Sequence, residues 1–188
     1  TSFIHQLNKK NFDINSLVKS PLTKIEKINI NNIPNPRNIF PQRINSLGID
    51  LTEEENIKKF SKIQSLDNIS AYNIINGENI SSKEIYKIRS PYLSKNFLGK
   101  AYFANDNIVN QAHKSLNDFS EKWIEVNIDK KVKIITDFAN LLEKNYLILA
   151  SLCVQEAGKT IADSIADIRE AIDFCRYYSI EAKKLSNE

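Results

Sequence analysis

The stretch Cys153-Val-Gln-Glu-Ala-Gly-Lys-Thr160, continued by Ile-Ala-Asp-Ser-Ile-Ala-Asp-Ile-Arg-Glu-Ala-Ile-Asp-Phe-Cys-Arg-Tyr-Tyr178, constrains this chain more than any other. Ile161, Ile165, Ile168, Ile172 and Cys175 recur on one helical face, while Asp163, Asp167 and Glu170 point elsewhere. Gly158 stands where a helix wants a left-handed closing residue, and Thr160 where the next helix wants an N-cap. The spacing predicts a helix over 146–157, closed by Gly158, and a long amphipathic helix over 161–184. Just upstream, Ile128, Val132, Ile135, Ala139 and Leu142 keep the same periodicity, which predicts a helix over 128–143. Asn145 is placed to cap the helix that follows, and a further helix is expected over 107–118. From Asp106 onward the chain reads as helical.

The earlier part is mixed. Residues 1–30 read as interrupted helix, with Ser20-Pro21 as a start signal and Leu22, Ile25 and Ile28 as an apolar stripe. Pro34, Pro36 and Pro41 fall within 29–48, and such a run cannot propagate a helix or a central strand. An ordered but irregular linker is expected there. Thr52 with Glu55 three residues on has capping-box spacing, which predicts a short helix to about Ile63. Ala71 to Ile75, Asn76-Gly77 and Glu78 to Ile80 read as a strand turning at a hairpin signal. Glu84 to Arg89 and Leu98 to Phe103 are two more short strands. The fold class is therefore α+β, predominantly helical, with a few short strands.

A chain of 188 residues with 41% hydrophobic and 26% charged content is long enough to bury a core. Its net charge of +3 is spread without a dense basic block, so nothing supports nucleic-acid binding. No apolar run approaches the roughly 20 residues of a bilayer span. The two cysteines sit in apolar helical surroundings and read as reduced thiols of a cytoplasmic protein. Only 4 glycines are present, so there are few places for phosphate-cradling loops. The absence of Met and the Thr at the start favour a fragment over a complete gene product.

Each residue with chemical promise also has a bland reading. Gly158-Lys159-Thr160 invites a phosphate loop, but that motif needs another Gly five places earlier, where Cys153 stands. A helix end followed by a new N-cap explains it better. Cys153 with Glu156 on the same helical face could be a thiolate and its base; a thiol between Leu152 and Val154 fits core packing better. Cys175 belongs to the apolar seam. His5 and His113 lack partners at metal-ligand spacing, so no metal site is expected. Glu53, Glu54 and Glu55 suit the first turn of a helix, and Trp123 reads as a core anchor. No residue is assigned a catalytic role.

The Glu156 to Tyr178 block, with Ile108 to Leu116 and Trp123, resembles the first helices of aldehyde dehydrogenase domains, most closely those of the bacterial proline-utilisation flavoenzymes. Other segments resemble the same proteins, in the same order. Thr1-Ser-Phe-Ile-His-Gln-Leu7 is similar to the segment after their proline dehydrogenase barrel, and Leu17-Val18 with Ser20-Pro21 to the helical pair that follows. Ile33-Pro-Asn-Pro-Arg-Asn-Ile-Phe40 and Asn45-Ser-Leu-Gly-Ile-Asp-Leu51 resemble their interdomain linker.

The resemblance implies three parts: a proline dehydrogenase tail over 1–30, a linker with a short helix over 31–70, and the N-terminal part of a Rossmann-like, NAD-binding aldehyde dehydrogenase domain over 71–188. It implies a parent that oxidises proline to pyrroline-5-carboxylate with FAD, then glutamate semialdehyde to glutamate with NAD. In that family the proline-binding arginines lie upstream of the part beginning at Thr1, and the nucleophilic cysteine, general-base glutamate and main NAD contacts lie downstream of Tyr178. Only Thr1, Ser2 and Phe3 match a region near FAD, at its adenine end. The expectation is a fragment of a bifunctional oxidoreductase, inactive by itself and binding neither cofactor alone. Its partners would be the missing parts of the parent, which is cytoplasmic or peripherally associated with a membrane. The alternative is a helical scaffolding module that docks on a separately encoded dehydrogenase piece. Alone, the chain is expected to expose apolar faces such as Ile161/Ile165/Ile168/Ile172 and to self-associate.

Overall fold

The chain divides into two units, Thr1–Asn35 and Pro36–Glu188. A computed structural model describes residues 20, 34–61, 68–93 and 97–186. The helical stretch expected over 1–30 and the FAD-matched Thr1, Ser2 and Phe3 therefore lie outside the described residues. Everything below concerns the second unit.

Its helices are α1 (Glu54–Ser61), α2 (Asp106–Glu125), α3 (Ile128–Lys144), α4 (Tyr146–Ala157) and α5 (Ile161–Leu185), and its strands are β1 (Ile69–Ala71), β2 (Asn73–Ile75), β3 (Glu78–Ile80), β4 (Ile85–Arg89) and β5 (Phe97–Tyr102). Helices predominate and the strands are few and short, as the sequence pattern requires. No helix among the described residues is long and apolar enough to cross a membrane.

The core forms where α5 packs on α3 and α4. Ile165, Ile168 and Ile172 bury against Ala139, Tyr146 and Ala150, and α1 adds Phe60. This corrects one expectation: the Ile165/Ile168/Ile172 face is not exposed, because α3 and α4 fold back onto it within the chain. Ile161 and Cys175 pack at its margin. The large apolar residues left in solvent are others, among them Phe174 and Tyr178 on α5 and Leu116, Phe119 and Ile124 on α2. Trp123 is also 42% exposed rather than a core anchor. It packs against Phe119, with the Lys131 ammonium over its ring.

Caps account for the helix boundaries. The Asn105 side chain accepts from Ile108 N–H to start α2, which runs a full two turns beyond the apolar periodicity that predicted it. Thr160 Oγ1 accepts from Asp163 N–H at 3.1 Å and donates to the Asp163 carboxylate at 2.7 Å, so α5 begins with both residues locked. Asn145 caps the helix before it, donating from Nδ2 to Leu141 O at 2.8 Å, and makes no side-chain cap to α4. The Thr52 capping box does not form. Asp50 accepts from both the N–H and the hydroxyl of Thr52, an Asx-type turn that delays α1 to Glu54.

The strands form two sheets. β2 and β3 make the expected hairpin, with Asn76 and Gly77 both at positive φ (52° and 81°) as a primed turn needs. The other sheet has the order β1-β5-β4, with β1 parallel and β4 antiparallel to β5. The stretch expected as one strand is split at Tyr72. Ile69–Ala71 turns to β5, and Asn73 donates to both Ile80 O and Tyr102 O, tying hairpin to sheet. Gly99 permits the parallel pairing, since a Cβ there would collide with the Ile69 carbonyl.

Candidate functional site

Two places among the described residues gather polar side chains. The first is the turn between α4 and α5. Gly158 adopts φ 69° and its N–H donates to Val154 O at 3.1 Å, closing α4 with a left-handed residue. A Cβ at this position would also come within 2.8 Å of Pro91 Cγ, so glycine is required for space as well as conformation. Lys159 pairs with Asp167, and Thr160 is committed to the α5 cap. Neither is available to a phosphate, and Cys153, where a phosphate loop needs glycine, lies within helix α4.

Cys153 is half-buried. Burial, followed by the negative charge of Asp167, raises its thiol above the ordinary range, with only partial relief from Lys159. A nucleophilic cysteine needs the opposite shift. Glu156 is solvent-exposed on the next turn. The cavity beside it, lined by Ile69, Ile88, Leu98, Leu152 and Gln155, measures about 20 Å³ and has room for about one water. Both cysteines are free thiols. His113 meets Asn117 at 3.4 Å, and among the described residues no group of three or more His, Cys, Asp or Glu could hold a metal ion.

The second place fastens the 36–47 segment, which holds a short 3-10 turn at Pro36–Asn38, to helices α3 and α5. Glu143 Oε2 accepts from Arg176 Nη2 at 2.8 Å and from Arg37 Nη2 at 3.2 Å, while Oε1 accepts from Leu47 N–H at 2.8 Å. Burial disfavours ionisation of Glu143, but the hydrogen bonds from Arg176 and Leu47 and the two guanidinium charges outweigh it, holding its carboxyl below the usual carboxylate range. Arg176 also donates to Asn140 at 3.1 Å. One turn earlier on α5, Asp173 accepts from Ser46 N–H at 2.6 Å and from Ser46 Oγ at 2.8 Å. Ser46 is 3% exposed and also receives Arg169 Nε at 3.3 Å.

Sequence reasoning passed over this cluster, although a signal was present. Arg176 follows Ile172 by four residues, so a charge occupies the next position of the apolar seam. A charge there needs a buried partner, and Glu143 supplies it. What neither place contains is a nucleophile with an activating base. Among the described residues, both places position backbone and helices.

Comparison with known families matches residues 78–188 to the aldehyde dehydrogenase family. The chain belongs to that family. Among curated relatives, the bifunctional protein PutA of Salmonella typhimurium is 27% identical over 192 residues, which cover 95% of this chain and 14% of that protein. The 1-pyrroline-5-carboxylate dehydrogenase 1 of Halalkalibacterium halodurans is 27% identical over 113 residues, covering 60% of this chain and 22% of the relative. Among solved structures, proline utilization A from Bdellovibrio bacteriovorus, inactivated by N-propargylglycine, superposes with a TM-score of 0.72 at 24% identity, over 81% of this chain and 16% of that one. The delta-pyrroline-5-carboxylate dehydrogenase of Mycobacterium tuberculosis, bound with NAD and cobalamin, gives 0.70 at 18% identity, over 83% of this chain and 29% of that one. These structures share the aldehyde dehydrogenase fold with this chain, and the chain spans a small part of each relative's length. Within an aldehyde dehydrogenase domain, then, the described unit is a helical layer with a small sheet, and its buried polar cluster ties a preceding segment to that layer.

Proposed function

We propose that this chain is the junction of a bifunctional proline-catabolic oxidoreductase, joining a proline dehydrogenase tail (1–30) through a linker (31–70) to the start of an NAD-dependent aldehyde dehydrogenase domain (71–188). One observation carries this reading. The match to the bifunctional Salmonella protein extends over 95% of the chain, well beyond the 78–188 matched to the aldehyde dehydrogenase family. The 1-pyrroline-5-carboxylate dehydrogenases of Halalkalibacterium halodurans and Geobacillus match 60% and 73% of it. In this reading the whole enzyme would oxidise proline with FAD and glutamate semialdehyde with NAD, with Thr1, Ser2 and Phe3 near the flavin's adenine end. The chain itself supplies structure: the Glu143 cluster seats the linker, and its two unpaired thiols fit a cytoplasmic setting. In this reading the chain by itself turns over neither proline nor pyrroline-5-carboxylate.

The exposed apolar residues of α2 and α5 support a second reading, a helical module that docks on a separately encoded dehydrogenase piece. Two measurements decide. The purified chain is assayed for proline oxidation with FAD and for NAD reduction with pyrroline-5-carboxylate; turnover of either substrate refutes the structural role. Sequencing the flanking DNA is expected to show a barrel on one side and a Cys/Glu-bearing dehydrogenase on the other, and neighbours of unrelated kind refute the junction.

A further inference from the structure

Residues 36–47 lie along helices α3 and α5 with little of their own surface buried. Only Ser46 among them is buried, and Ile39, Phe40, Ile44 and Leu47 are about half exposed. Apolar burial therefore does little to hold the segment down. Its backbone bonds are internal, from Arg43 N–H to Phe40 O at 3.4 Å and from Asn45 N–H to Arg37 O at 2.9 Å. We propose that this segment is a latch that swings off the α3–α5 face as one unit, about Gly48, while the helical core stays packed. The proposal goes beyond the junction role and does not depend on it.

Two carboxylates form the catch. Glu143 on α3 accepts from Leu47 N–H and Arg37, and Asp173 on α5 accepts from the N–H and hydroxyl of Ser46. Arg169 adds its bond to Ser46 Oγ, and the Arg43 guanidinium lies 5.4 Å from the centre of the Tyr177 ring. Polar bonds of this kind are exchanged for bonds to water on opening, at a modest net cost each. Exposing the isoleucine core costs far more, so the segment has a route to open that the core does not share.

Beyond Gly48 the chain is held differently. Ile49 and Leu51 pack against the core cluster that includes Phe60, so an opening that starts at residue 36 stops there. Gly48 is exposed between the two regimes, with open space around it, and can absorb the change of direction. Closed, the segment borders a cavity of about 470 Å³ over Val132, Thr136 and Ile180. A neighbouring groove of about 360 Å³, walled by Ile135, Phe174 and Tyr178, shares Val132 and Ser179 with that cavity. Opening joins the two, so the latch governs access to one continuous, mainly apolar face of α3 and α5.

Hydrogen exchange of the full chain, followed by NMR over a series of sub-denaturing urea concentrations, tests this. Relative to unstructured rates, the amides of Ser46 and Leu47 should exchange about a hundredfold or more faster than those of Ile168 and Ile172, and with little dependence on urea, because a local opening exposes little surface. Asp173→Ala releases half of the catch. Leu47, bonded to Glu143 rather than to Asp173, should then exchange about tenfold or more faster, as opening in one piece requires. Tyr146→Phe removes a core bond, to Ile165 O, that stays made when the latch opens. It should speed Ile168 and Ile172 by about fivefold and leave Ser46 and Leu47 at the parent's rates. Circular dichroism checks the fold of each variant, and should either fail to fold, the parent's urea series decides alone. One rate and one urea dependence for latch and core, equal acceleration of both by Tyr146→Phe, or an unchanged Leu47 in folded Asp173→Ala would each overturn the proposal. None of these measurements involves dehydrogenase turnover or its cofactors, so the junction reading stands or falls separately.

Discussion

Replacing Glu143 with Gln removes the one carboxylate that Arg176, Arg37 and Leu47 N–H share. The side chains of Arg176 and Glu143 are 9% and 18% exposed, so this is not a surface ion pair of negligible worth. Breaking a buried pair by deleting one partner costs about 3–5 kcal/mol, because the other charge is left stranded. Here Asn140 still accepts from Arg176, and the new amide oxygen can still accept from Leu47, so the loss falls at or somewhat below the lower end of that range. The expected loss is about 2–3 kcal/mol, or about 1–1.5 M in urea midpoint for an m-value near 2 kcal/mol/M. Arg37→Gln, whose side chain is 36% exposed, should cost no more than about 1 kcal/mol. The loss should also depend on pH. The folded state lowers the Glu143 carboxyl from its ordinary 4.5, so its contribution is complete above that value and disappears as pH falls through the lowered one. Urea melts of parent and variant at neutral pH should therefore differ, and the curves should converge in acid. A midpoint unchanged at neutral pH, or a gap that persists undiminished in acid, would refute the buried-pair reasoning.

Other perturbations address separate parts of the fold. Gly158→Ala combines an unfavourable positive φ with a 2.8 Å approach to Pro91, and a thermal melt should show destabilisation of roughly 1–3 kcal/mol. Tyr146→Phe deletes the bond from its hydroxyl to Ile165 O, at 2.9 Å, at a cost of about 1 kcal/mol. Burial pushes that phenol from 10.0 to about 12, so its contribution is intact below 10.0 and is lost as pH rises towards 12; in alkaline melts the parent should lose its advantage over the variant across that window. Cys153 should react slowly with a disulfide reagent at neutral pH, accelerating only above the ordinary thiol range, and rapid labelling near pH 7 would contradict the buried-thiol assignment.

Much of the architecture follows from local pattern alone. The helix boundaries at Ile128, Tyr146 and Ile161 coincide with apolar periodicity and chain punctuation, and Asn76-Gly77 sets the hairpin because few residues accept two successive positive φ values. Periodicity also marked Ile165, Ile168 and Ile172 as one face, but it carries no information about what covers that face. Only the return of α3 and α4 buried it and left Phe174 and Tyr178 outside. The parallel pairing of Ile69 with Gly99 spans thirty positions of sequence, and nothing local announces it. The same holds for the Arg37–Glu143–Arg176 cluster. Arg176 is marked by its place on the apolar seam, but Arg37 and Glu143 read as solvated charges, and the joining of the three is a property of three segments meeting. The sequence therefore determined which elements form, since that depends on neighbours within a turn or two. The tertiary structure decided which faces are paired and which charges are buried, since those energies arise only between residues far apart along the chain.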